Sequence, residues 1–439
     1  MKKVDYLYID EKGPQETIRI TTPYDDEKKI KLGNDNMYVY VADLIKIKEK
    51  HLLKIEENYK MLERKYISSR NFPDDRELKG KDILDKNFNY GIASLKNREL
   101  DFYSSLFDLL LENEVDNLLF SINKMSLIVD YRFTSWILKL EEIKFIPSAR
   151  NFKYSLVKYL EIEASERVIQ SIFNSDMGNR EVLTEIQKHL VSFVEQNENI
   201  KRMERQIQNY RDIIQVIRQK KHLIKDTPFK EASFDWNKVS FDIDLWISEM
   251  TLANKFNMES TELILDEGIP IEAFKKLNFP LIKEDEDSTA HVGLRISDVL
   301  VVIAGKYMSI LPNDVKYDKN TPKITKRLPN DWFQLEEKQF DLLKKMNKYF
   351  FSNDSTYCFI VDTYFDDALE FETYLGYINS YESFHDYNKQ IETHTEKHFI
   401  YFVEVMSSKW DLAISNENWV RSSYGNMNAG IKAGIVRPI

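Results

Sequence analysis

Three aspartates stand where an ionised carboxylate is costly. Asp10 closes the alternating run that begins at Val4, Asp266 sits at the end of the apolar run 261–267, and Asp298 is set among Leu294, Ile296, Val299, Leu300 and Val301. A carboxylate in such company costs several kcal/mol unless it is paired, metal-bound or placed at the edge of a cleft. For Asp298 the simplest partner is Arg295, about one helical turn away, and that salt bridge stands beside the metal or cleft reading. Because side chains alternate along a strand, Glu11 and Glu267 face away from Asp10 and Asp266 and read as supports.

Other chemistries have less material. His394 and His398 are four apart, but there is no HExxH arrangement and no third ligand, so they do not read as a metal site. No glycine-rich phosphate loop of Walker or dinucleotide type is present. The single cysteine, Cys358, excludes an internal disulfide, a zinc ribbon and an iron–sulfur site, and reads as a small buried hydrophobe. The run Glu284 to Asp287 reads as a solvated loop, or alternatively as an acidic lid.

The elements that must position the aspartates follow from hydrophobic period. Residues 4–11 alternate as a strand, with Tyr6, Tyr8 and Asp10 on one face and Leu7 and Ile9 on the other. A turn at Gly13 and Pro14, a hairpin partner over 16–22 and a third strand over 36–43 complete a meander. An amphipathic helix is expected from Leu44 to about Tyr66, a second over 98–113, and a buried strand over 117–122. From about 131 to 256 the pattern is helical almost throughout. A strand over 261–267 and a buried helix over 292–310, closed by Pro312, resume the α/β pattern. Beyond 313 come a helix near 336–350 and strand-like runs over 357–362 and 399–405, read as a C-terminal α+β unit. The expected architecture is therefore an α/β core over 1–130 and 261–312, split by a helical insertion over 131–260, with the unit 313–439 appended.

Within the insertion, Leu183, Ile186, Leu190 and Phe193 followed by Met203, Ile207, Tyr210, Ile214, Ile217 and Ile224 trace a coiled-coil seam. Either one long helix with a slip or a helical hairpin turning near 196–199 satisfies it. Residues 201–225 hold eight Lys and Arg against Glu204 and Asp212, in a chain whose net charge is −10. Arg202, Arg205, Arg211, Arg218, Lys220 and Lys221 therefore form a local basic surface suited to gripping a phosphate backbone, or a solvated face paired with acidic neighbours. The same helices, 183–224, could join a second copy or a partner protein.

Composition sets the outer bounds. The 439 residues, with 43% hydrophobic and 13% aromatic content, are enough for more than one core, and only 12 Gly and 11 Pro argue for helix over turn-dense sandwiches. The net charge of −10 excludes a globally basic nucleic-acid coat. No apolar run reaches membrane length, so no membrane association and a cytoplasmic location are expected.

Taken together, Asp10-Glu11-Lys12-Gly13 at the N-terminus, Glu77-Leu78-Lys79-Gly80, Asp266-Glu267 and the segment from Gly293 through Asp298 to Leu300 resemble, in order, the motifs of the RNase H-like family catalogued as domain of unknown function 3800. The resemblance spans about residues 4–130 and 261–310. Lys12 replaces the family's Ser, and Arg295 and Ser297 replace Gln and Ala. The resemblance implies an RNase H-like mixed sheet and a nuclease in which Asp10, Glu77, Asp266 and Asp298 hold two Mg²⁺ or Mn²⁺ ions that stabilise the attacking water and the leaving oxygen. It also implies an association with phage defence or mobile elements. On this reading His291, seven residues before Asp298 at the helix entrance, moves protons for the leaving group, or is a loop histidine. Lys79 touches a phosphate, or is a solvated lysine. The alternative for the whole chain is a non-catalytic scaffold of the same fold that recruits partners through its coiled coil.

Overall fold

The alternation along the first strand holds in space: Leu7 and Ile9 pack into one core and Tyr8 into another, on opposite faces of a sheet. The computed structural model describes residues 4–12, 18, 32, 39–73, 76–84, 88–226, 232, 234–317, 326–351, 359–361 and 367–437. In chain order, β1 (Asp5–Lys12) and β2 (Val39–Ile47) precede α1 (Glu49–Ser69), α2 (Gly80–Ile83), α3 (Asn97–Glu112) and β3 (Asp116–Asn123). A helical stretch follows: α4 (Lys124–Glu142), α5 (Ala149–Ile162), α6 (Glu166–Phe173), α7 (Asn179–Asn197), α8 (Glu204–Lys220) and α9 (Trp236–Leu252). Then come β4 (Thr261–Asp266), β5 (Leu281–Glu286), α10 (Val292–Asp314) and the two-residue strands β6 (Lys316–Tyr317) and β7 (Lys326–Arg327). The chain ends with α11 (Glu337–Phe350), β8 (Phe359–Val361), α12 (Asp367–Asn379), α13 (Phe384–Asn388), α14 (His394–Tyr424) and α15 (Met427–Lys432).

The main sheet is mixed, with order β5-β4-β1-β2-β3-β8. The pairs β1–β2 and β2–β3 are antiparallel, while β4 runs parallel to β1, β5 to β4, and β8 to β3. On one face, Leu7, Ala42, Leu44, Phe120 and Ile122 join the core built by α4 to α9. On the other, Tyr8, Val41, Ile45 and Leu119 join a core with α1, α3, α10, α11 and α12. Helices α11 and α12 therefore pack into this second core and β8 is added to the sheet edge, while Val420 of α14 and Met427 of α15 join the first core.

Several local expectations are corrected. The third strand does not stop at 43: β2 continues to Ile47 and α1 starts only at Glu49. Residues 44–47 pair with β1, residues 44–46 with β3 as well, and all four are buried, which overrides their helix-compatible spacing. Glu284 and Glu286 lie in β5, an edge strand whose charges face solvent, instead of a loop. The run 399–405 is helical, inside α14, where His394, His398 and Tyr401 recur at helical spacing against Tyr377. Helix α10 runs on to Asp314 with Pro312 inside its last turn. The turn at 13–14, the hairpin partner over 16–22 apart from Ile18, and Cys358 lie outside the described residues.

In the insertion, α7 ends at Asn197 and α8 begins at Glu204, so the seam is a helical hairpin rather than one long helix. Leu183, Ile186, Leu190, Ile207, Tyr210, Ile214 and Ile217 are buried in it. Polar side chains cap two other helices on this face of the sheet: Asn123 accepts the Ser126 amide at the start of α4 (2.8 Å), and Ser148 accepts the Asn151 amide at the start of α5 (3.1 Å).

Candidate functional site

The parallel pairing of β1 with β4 sets Ile9 opposite Leu265, so Asp10 and Asp266 emerge side by side at the same end of the sheet. Helix α10 crosses β1 and β2 on that face, held by Ser297 Oγ donating to the Asp43 carbonyl (2.9 Å), and delivers Asp298. Close approach of α10 to β1 needs Gly293: a Cβ there would lie 2.2 Å from Cδ2 of Tyr8. Asp298 is not held by Arg295, which pairs with Glu63 of α1 instead. Its Oδ2 accepts the backbone N–H of Gly80, at 2.6 Å. Gly80 approaches so closely that a Cβ would lie 2.8 Å from Cβ of Val302 and 3.0 Å from the Asp298 carbonyl oxygen. The segment before α2 thereby brings Glu77 and Lys79 to the site. Lys79 Nζ lies 2.8 Å from Glu77 Oε1 and donates to Ser288 Oγ at 2.9 Å, and Ser288 Oγ donates to Glu77 Oε1 at 2.6 Å.

The electrostatics show how strained the carboxylates are with no cation but lysine. Asp10 is 7% exposed, and burial, then the charges of Asp266, Glu11 and Asp298, push its carboxyl well above the usual range, against the Glu11 amide that donates to Oδ1 at 2.6 Å. Asp266 is raised by burial and by Asp298, against the Glu267 amide, the Lys79 charge and a hydrogen bond with Asp10. Asp298 is raised by burial too, opposed by the Gly80 amide, Lys79 and Lys12. Burial works against the Lys79 ammonium, but Glu77, Asp298 and Asp266 outweigh it and raise its pKa.

Of the residues singled out from the sequence, Asp10, Glu77, Lys79, Asp266 and Asp298 are thus brought to one place from widely separated parts of the chain. His291 is not beside Asp298: it precedes α10 and its Nε2 lies 2.7 Å from Glu286 Oε2. Arg202, Arg205, Arg211 and Arg218 are exposed along the hairpin; Arg211 pairs with Glu198, half-buried Lys220 lies over the Phe145 ring, and half-buried Lys221 donates to Thr184. His394 is buried among rings, hydrogen-bonded to Tyr377 Oη (2.7 Å) and the Tyr387 carbonyl (3.0 Å).

Sequence reasoning missed Asp43, Ser288 and the amide of Gly80. Asp43 is fully buried directly opposite Asp10 in the β1–β2 ladder, on the same face, and neither carboxyl oxygen has a hydrogen bond of ordinary geometry. Its place within the β2 run, two residues after the buried Val41, was the available signal.

Hard divalent ions suit this donor set, since carboxylate oxygens are what Mg²⁺ and Mn²⁺ prefer, and a cation would relieve the mutual repulsion that burial enforces. Among the described residues, no group of three or more His, Cys, Asp or Glu side chains is spaced as a ready-made metal cage. The Lys79 charge acts on both Asp266 and Asp298. No family model, curated protein or solved structure matches the chain. Among the described residues, no helix is long and apolar enough to cross a membrane.

Proposed function

We propose that the chain is a metal-dependent phosphodiesterase, an RNase H-like nuclease acting on nucleic acid. The observation that carries this reading is the convergence of buried Asp10 with half-buried Asp266 and Asp298, all three with raised carboxyl pKa values, beside Glu77 and Lys79. Buried like charges without structural payoff are selected against, so their assembly at a strand end favours chemistry over architecture. The strand order, with an antiparallel β1-β2-β3 set flanked by parallel β4 and β5, supports the RNase H-like part of the reading.

Mg²⁺ or Mn²⁺, when bound, supplies Lewis-acid stabilisation of the phosphoryl oxygens and of the attacking water. Asp10, Asp266 and Asp298 would hold the ions, with Glu77 beside them. The Gly80 amide fixes the orientation of Asp298, and Ser288 does the same for Glu77. Lys79 is the cation next to the cluster, placed to meet a substrate phosphate. Metal binding there would displace protons from carboxyls that burial raises. The exposed cations of the 201–225 segment offer sequence-independent phosphate contacts.

The ion pair of Lys79 with Glu77 favours a second reading, in which the same fold is a non-catalytic scaffold recruiting partners through the 183–224 hairpin. A cleavage screen over single-stranded and duplex DNA, RNA and hybrid with Mn²⁺ or Mg²⁺ separates the two. Metal-dependent cleavage lost in Asp10→Asn and Asp298→Asn, with folding intact, supports the nuclease. Partner capture by a protein that cleaves none of these supports the scaffold.

A further inference from the structure

Lys12 stands on β1 two residues past Asp10, so the period of the strand puts it on the face of Tyr8 and Asp10. That is the face on which α10 packs, with Gly293 against Tyr8, and delivers Asp298. On one side β1 stays paired to its end, with Lys12 opposite Val41 of β2. On the other side β4 stops at Asp266, beside Asp10. Lys12 therefore projects about 7 Å beyond the level of the two aspartates. It is half-buried there, at the open end of the site. Its charge reaches the cluster: burial raises the Asp298 carboxyl, and Lys12 follows the Gly80 amide and Lys79 among the groups that oppose the rise.

The two lysines at the site are held differently. Lys79 Nζ lies 2.8 Å from Glu77 and donates to Ser288, so its ammonium is committed. Among the described residues, Lys12 has no hydrogen bond or ion pair, and it answers Asp298 only at a distance. A flexible four-carbon stem lets such an ammonium move to a nearer anion. With Asp10, Asp266 and Asp298 holding divalent metal, the negative charge that Lys12 answers is spent, and the cations repel unless an anion enters between them. On the nuclease reading that anion is a phosphate of the substrate, which a lysine meets as a point charge without reading sequence.

We propose that Lys12 is a substrate-binding residue of the acidic site, its ammonium meeting a nucleic-acid phosphate next to the carboxylates; this rests on the nuclease reading above. Fluorescence anisotropy on the full chain tests it, with short labelled single strands and duplexes of DNA and RNA in Ca²⁺ at several KCl concentrations, beside Mn²⁺ calorimetry. Lys12→Met should weaken strand binding about tenfold and lower the slope of log affinity against log salt by about one. It should bind Mn²⁺ at least as tightly as wild type, since a cation beside the ligands is gone. Lys12→Arg should keep the wild-type strand affinity and slope, with unfolding midpoints of both variants near wild type. Strand affinity and slope unchanged in Lys12→Met, or Mn²⁺ binding weakened by it, would overturn this proposal and leave the metal site standing. A wild type that binds Mn²⁺ but none of the strands would overturn it together with the nucleic-acid substrate. A wild type that binds no Mn²⁺ would overturn the metal reading and this proposal with it.

Discussion

Replacing Asp43 by Asn should stabilise the protein, and by an amount that grows with pH. Burial pushes the Asp43 carboxyl from 3.8 up to about 8, and Asn117 offsets little of this, since neither Asp43 oxygen nor Asn117 Nδ2 makes a hydrogen bond of ordinary geometry. A carboxyl whose folded pKa is raised keeps its proton longer in the folded state. Stability is therefore full below the unfolded pKa near 3.8 and is lost as pH rises through that value toward 8. At 1.36 kcal/mol per unit, the loss is about 4 kcal/mol at pH 7. Asn has nearly the same shape and carries no proton to lose, so the variant escapes the loss. Urea unfolding of both proteins from pH 4 to pH 9 should show a gap close to zero at pH 4, widening to pH 8 and flat beyond it. A gap that does not change with pH, or a variant less stable than wild type at pH 7, would refute the reasoning. A neutral Asp43 also means that the residue opposite Asp10 adds no further negative charge to the cluster.

Three other outcomes follow from the same geometry. Gly80→Ala should cost about 1–3 kcal/mol by overpacking against Val302 and should weaken Mn²⁺ binding by displacing the amide that holds Asp298, both read by urea unfolding and calorimetry. Arg132→Met should cost about 2–4 kcal/mol while leaving Mn²⁺ binding unchanged, because its guanidinium serves the carbonyls of Ile172, Asn174 and Met177. Burial pushes His394 down to about 4 and His398 to about 3, so each holds stability above pH 6.5 that is lost as pH falls, by about 1.4 kcal/mol per unit. His398→Phe should flatten the acid limb of the stability profile between pH 6.5 and pH 4.

What was legible in the chain was what one segment decides alone. The alternation around Tyr8 placed Asp10 on a strand, on the same face as Tyr8, although the strand runs on to Lys12, and the unbroken apolar character after Leu294 marked α10 as buried. The burial cost of Asp298 flagged it without any structure. What was not legible depends on partners far along the chain. Arg295 had a local carboxylate at Asp298 but took Glu63, 232 residues away, and Asp298 took an amide 218 residues away. Residues 44–47 have spacing that suits a helix, and only the two neighbouring strands make them a ladder. The β-branched and aromatic run 399–405 looks like a strand in isolation, yet packing of His394, His398 and Tyr401 on Tyr377 selects a helix. The acidic residues of β5 look like a loop because an edge strand can face solvent with its charges.

The most direct test of the proposed site is Mn²⁺ calorimetry on the metal-free wild type beside Asp10→Asn and Asp298→Asn, run at pH 7.5 in buffers of different ionisation enthalpy. The expected result is Mn²⁺ binding accompanied by proton release, because burial and neighbouring charge raise the Asp10 and Asp266 carboxyls, with affinity at least tenfold weaker in each variant. Absence of binding in the wild type, or binding that neither substitution changes, would contradict the assignment of Asp10, Asp266 and Asp298 to one metal site.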